Sequence, residues 1–108
     1  MSELVNKINA MHIVRVVYKG FEYDTFAFDG IEGIGLIADG LYYRIIHIPS
    51  HRILMKIDKL YIKDMNEFVE MMYIYLSDLK WTNHYNYVTN DTHIHHLNQL
   101  SQAIQDSF

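Results

Sequence analysis

Between positions 64 and 80 the apolar residues recur every three or four places. At 100° per residue Met65, Phe68, Val69, Met72, Tyr75, Leu76 and Leu79 fall on one broad face, the pattern of a helix packed on a core. Asp64, with Glu67 three residues on, is an aspartate form of the capping box and marks the start. The opposite side carries Asn66, Glu67, Glu70, Ser77 and Asp78, but also Met71 and Ile74. Ile74 is a β-branched side chain ringed by Glu67, Glu70 and Asp78, the local misfit of this helix. It either packs on another element or meets a partner.

Upstream, the period shortens to two. Residues 12–18 place Val14, Val16 and Tyr18 on one face and Arg15 on the other, as a strand requires. Residues 21–28 make a second strand whose alternation slips. Phe21 and Tyr23 lie on one face and Phe26 and Phe28 on the other, which predicts a bulge near Thr25. Strands over 33–38, 41–48 and from 52 to 57 or beyond follow. They are separated by turn signals at Lys19-Gly20, Asp29-Gly30, Asp39-Gly40 and Pro49-Ser50-His51. Asp39-Gly40 suits a type I′ hairpin turn.

Connections this short allow antiparallel neighbours only, because a parallel pair needs a crossover. A short helix is expected over 2–10, with Leu4, Val5 and Ile8 inward. A second long helix is expected over 94–108, with Ile94, Leu97, Leu100, Ile104 and Phe108 as its stripe and Asp91 or Thr92 as its cap. Residues 81–91 read as a polar, aromatic connector. The expected fold is α+β in a single domain over 1–108: an antiparallel meander of four to five strands, a short N-terminal helix, and two C-terminal helices packed on one face.

Composition narrows the class. Half of the 108 residues are hydrophobic and there is one proline, so a packed core rather than disorder is expected. The absence of cysteine excludes disulfides and thiolate metal sites. The first ten residues lack the basic start and apolar run of a signal peptide, and no apolar run reaches the ~20 residues that span a bilayer. A cytoplasmic location is the expectation.

Charge changes the picture more. The net charge of −4 divides into +2 over 1–19, −5 over 20–43, +4 over 44–63 and −5 over 64–108. Such blocks either face one another across a sheet or present a two-signed surface that steers a charged partner.

Candidate chemistry is sparse. His93, His95 and His96 invite a metal reading, with His84 or His51 as a further ligand, but on a helix their rings point in different directions. No serine lies in a G-x-S-x-G elbow, and Gly30, Gly33 and Gly35 precede no helix that could hold a phosphate. Tyr42 and Arg44 share one face of the fourth strand, and Arg52 and Lys56 one face of the fifth, so a single-stranded nucleic acid could stack and pair there if the faces coincide. An acidic chain with three arginines argues against it.

Many of the nine tyrosines and six methionines are expected in the core, but both types are also over-represented in protein interfaces. Ile74, Tyr85 and Tyr87 are candidates to remain uncovered. The leading expectation is therefore a non-enzymatic protein-binding module without cofactor. It would act as a small inhibitor or accessory protein of the size and composition found in phages and mobile elements. Its carboxylates would stand in for phosphates against the basic surface of a nucleic-acid-handling partner. The residues proposed to meet that partner are Glu22, Asp24, Asp39, Glu67, Glu70, Met71, Ile74 and Asp78. A homodimer, with Ile74 or the second helix at its seam, is compatible with this.

Overall fold

A computed structural model describes residues 11–81 and 91–107; the helix expected over 2–10, together with His84, Tyr85, Tyr87 and Phe108, lies outside the described residues. Five strands, β1 (Met11–Tyr18), β2 (Phe21–Phe28), β3 (Ile34–Asp39), β4 (Tyr42–His47) and β5 (Arg52–Asp58), form one antiparallel sheet in sequence order. A 3-10 turn, Lys59–Tyr61, leads to α1 (Met65–Leu76), and α2 (Asp91–Ser107) follows. The class is α+β, as the alternation of periods implies.

The turns follow their residues. Lys19 and Gly20 both have positive φ, the type I′ requirement, and Tyr18 pairs with Phe21 across them. At the next hairpin the loop is Gly40-Leu41, not Asp39-Gly40. Asp39 pairs with Tyr42 and only Gly40 has positive φ, which fits the mirror turn with glycine first.

The front of the sheet, under the helices, carries Phe28, Ile34, Leu36, Ile45 and Ile57, packed with Phe68, Val69, Met72 and Leu76 of α1 and Leu97, Leu100 and Ile104 of α2. The back has its own smaller core of Val16, Ile37 and Ile46, joined by Tyr23, Ile48 and Ile53. β2 pairs with β3 at Phe26–Leu36 and Ala27–Gly35, and the rest of the β1–β2 hairpin runs on past that ladder and coils over the back. Gly35 permits the coil: a Cβ there would stand 2.3 Å from the methyl of Thr25, which is fully buried.

The bulge expected near Thr25 is not there. The β1–β2 ladder is unbroken from Met11–Phe28 to Tyr18–Phe21. The apparent slip has another cause: the covered face of β2 changes along its length, from the back at Tyr23 and Thr25 to the front at Phe26 and Phe28. The register shift lies instead in β4–β5, where Ile45 pairs with Met55 but Ile46 with Ile53, leaving Leu54 extra. Such an extra residue moves everything before it to the other face.

Asp64 caps α1 by accepting from the Asn66 amide at 2.8 Å. The helix ends at Leu76, four residues before Lys80, because the Ser77 hydroxyl turns back to the Tyr73 carbonyl and the Leu79 amide to that of Leu76. α2 begins at Asp91, so Asp91 lies in its first turn, where its charge suits the helix dipole, and is not its cap.

Candidate protein-binding surface

Phe68, Val69, Met72 and Leu76 face inward from α1, leaving Glu67 and Ile74 exposed and Glu70 half-buried on the other side, with the exposed Asp78 just past the end of the helix. Ile74 is 55 % exposed, a large apolar side chain in water amid carboxylates. Met71, assigned to the same side by the sequence, instead rests half-buried against the core. It borders a crevice shared with Tyr61, Lys63, Glu67 and Ile104.

The structure also brings the β2–β3 loop, which carries Asp29 and Glu32, beside α1. The Tyr73 hydroxyl donates to the Asp29 carbonyl, and its ring meets Phe28 edge-on at 6.2 Å, tying the β2–β3 loop to α1. Glu32 of that loop lines a shallow groove of about 330 Å³ with Gly30, Ser77, Leu79 and Lys80. Asp29 and Glu32 were visible in the sequence as members of the acidic block. Nothing in its periodicity brings their loop beside the helix.

The other proposed contact residues lie elsewhere. Glu22 and Asp24 flank Arg15 across the first hairpin, at 3.4 and 3.5 Å, so a cation already stands between them. Asp39 holds the Arg44 guanidinium at 3.2 Å. The eight residues are thus three separate groups: the α1 group holds Ile74, and the first-hairpin group, where Glu22 pairs across from the exposed Val17, already contains the Arg15 cation.

The basic strands do not form the stripe expected of a nucleic-acid surface. Tyr42, Arg44 and Lys56 share the back of the sheet, with the Lys56 ammonium 4.4 Å from the Tyr42 ring centre. The extra residue at Leu54 puts Arg52, paired with His47, on the opposite face from Lys56. Arg44 is paired with Asp39, and Asp58 is the cross-strand neighbour of Tyr42, so the patch is close to neutral.

The histidines at the start of α2 dock the helix. His93 Nε2–H donates to the Lys80 carbonyl at 3.0 Å and His96 Nδ1–H to the Tyr75 carbonyl at 2.8 Å, while His95 is exposed. The three rings do not converge, and among the described residues no three potential ligands gather around a common point.

A further enclosed polar arrangement is a junction the sequence does not announce. Trp81, read as part of a polar connector, is fully buried. Its Nε1–H donates to the Leu76 carbonyl at 2.8 Å, its ring meets His93 edge-on at 4.6 Å, and its carbonyl accepts from His47 Nε2–H at 2.6 Å. Because a carbonyl can only accept, Nε2 carries the proton, and in the neutral ring Nδ1 accepts from the Ser50 hydroxyl at 2.6 Å. Gly33 makes room: a Cβ there would lie 2.1 Å from the Trp81 oxygen. No buried side-chain polar atom among the described residues lacks a partner.

A groove of about 620 Å³ opens beside β1 and the β2–β3 loop. Its ionisable residues, His12, Asp29 and Glu32, are exposed, and His12 and Asp29 pair with each other at 3.4 Å. No helix among the described residues is long and apolar enough to cross a membrane. Comparison of the chain with family models, curated proteins and solved structures finds no match in any of the three.

Proposed function

We propose that this chain is a non-enzymatic protein-binding module whose contact surface is the outer ridge of α1, extended by Asp29 and Glu32. One observation carries the reading: Ile74 stands 55 % exposed on the side of α1 that carries Glu67 and Glu70, with Asp78 just past the helix end. An isoleucine in water costs free energy that burial in an interface recovers, about 1.5–3 kcal/mol for the whole side chain. Those carboxylates select what can bury it, namely a surface carrying lysine or arginine around an apolar contact.

The sharper form of the proposal is an inhibitor or accessory protein that occludes a nucleic-acid-binding surface. Carboxylates repeated along a helix offer arginine and lysine the same charge-assisted hydrogen bonds that phosphates offer. The test is affinity capture from cells in which the chain is expressed, with the wild type beside a Glu67→Lys, Glu70→Lys, Asp78→Lys variant. The expected result is one basic protein in stoichiometric yield with the wild type and none with the variant. Equal recovery by both would reject the ridge as the contact surface.

A further inference from the structure

Two turns at one end of the sheet carry the most exposed large apolar side chains among the described residues. Leu41 in the β3–β4 turn is 74 % exposed and Leu60 in the 3-10 turn is 76 % exposed. A hydrogen bond from the Lys59 amide to the Leu41 carbonyl, 2.9 Å, holds the two turns together. Tyr61, 41 % exposed, continues this apolar tip. Lys59, 5.1 Å from the Tyr43 ring centre, and the exposed Lys63 flank it. The two carboxylates in the same stretch have local roles: Asp58 accepts from the Leu60 amide and Asp64 from the Asn66 amide.

This tip is the chemical complement of the α1 ridge. One has leucines flanked by ammonium groups; the other has an isoleucine beside carboxylates. The two also share a border, the crevice where Tyr61 and Lys63 meet Glu67 and Met71. A surface divided this way can pair with a second copy through a two-fold rotation about the border. The rotation sets the Leu41–Leu60 tip of each copy on the Ile74 ridge of the other and makes every contact twice.

We infer that the occupant of the ridge in the absence of a foreign partner is a second copy of this chain, paired two-fold through the Leu41–Leu60 tip. The inference rests on the ridge being a contact surface and adds its regulation. The dimer is the closed form, and a basic partner must displace one copy from the other to reach Ile74. Because part of the attraction is between exposed charges, salt opens the dimer.

The experiment is a solution-mass measurement by sedimentation equilibrium, in dilute buffer and in molar salt. It uses three proteins: the wild type, the ridge reversal Glu67→Lys, Glu70→Lys, Asp78→Lys, and the tip reversal Lys59→Glu, Lys63→Glu. The wild type is expected to shift from 12.8 kDa to twice that mass in dilute buffer and to return in salt. Each reversal alone is expected to stay at the monomer mass, and an equimolar mixture of the two to restore the doubled mass, since both contacts are then oppositely charged again. Circular dichroism establishes that each variant is folded; Leu60→Glu, at a site exposed to water, replaces the tip reversal if that protein does not fold.

A wild type that remains monomeric in dilute buffer would overturn the inference. So would a dimer that survives either reversal, or a mixture that stays monomeric. A monomeric wild type that still captures a basic protein through the ridge leaves the functional proposal standing and removes this one. A restored dimer with no foreign partner does the reverse.

Discussion

The junction around Trp81 and the outer ridge of α1 handle polar groups in opposite ways. At the junction, His47, Ser50, Trp81 and His93 look reactive by residue type, yet each is turned onto a partner within the chain. Along the ridge, Glu67, Ile74 and Asp78 are ordinary by residue type, and what distinguishes them is an apolar side chain left in water among charges. A histidine bonded through both ring nitrogens to a carbonyl and a hydroxyl is structural glue. An exposed isoleucine beside carboxylates has no such internal explanation. The contrast sets a junction whose polar groups are bonded within the chain against the ridge proposed as the contact surface, and substitutions can break it from either side.

The largest effect is expected at Trp81. Trp81→Ala removes a fully buried side chain that joins α1 and α2, and should cost about 3–5 kcal/mol. That is a large part of the roughly 5–15 kcal/mol by which a domain of this kind is stable. Urea denaturation followed by circular dichroism reads it directly. Gly33→Ala comes next, at roughly 2–4 kcal/mol, because the added Cβ meets backbone atoms of Trp81 that cannot swing away and because Gly33 has positive φ. His47→Leu keeps much of the volume but orphans the Trp81 carbonyl, and should cost about 1–3 kcal/mol in the same assay.

The smallest stability effect, and the most informative, belongs to the ridge. Ile74→Lys should stay within about 0.5 kcal/mol of the wild type, because the side chain is already in water. The same substitution should abolish capture of a basic partner. If Ile74→Lys unfolds the protein as readily as His47→Leu does, the ridge belongs to the core and the contrast collapses.

The sequence made one side of this contrast legible and hid the other. Ile74 stood out because a 3.6-residue period assigns every position of a helix to a side, and an apolar residue on the charged side is visible at once. Trp81 did not, because it follows the end of α1 and a single apolar residue in an irregular segment has no period to reveal it. Gly33 read as a strand residue, whereas its role is set by a carbonyl 48 positions later in the chain. The five strands were legible and the coil of the first hairpin was not, because both faces of the sheet are apolar where β2 changes sides. The extra residue at Leu54 left no mark in the pattern 52–57, which alternates equally well without it. It is why Arg52 and Lys56 part company, and with them the expected nucleic-acid stripe.

Carboxyl footprinting of the captured complex tests the central claim most directly. Carbodiimide labels exposed Asp and Glu side chains, and mass spectrometry reads each position with and without a partner in excess. Labelling should fall at Glu67, Glu70 and Asp78, and with them at Asp29 and Glu32, while Glu22, Asp24 and Asp39 label as in the free chain. Protection at Glu22, Asp24 or Asp39 with an unchanged α1 ridge would contradict it.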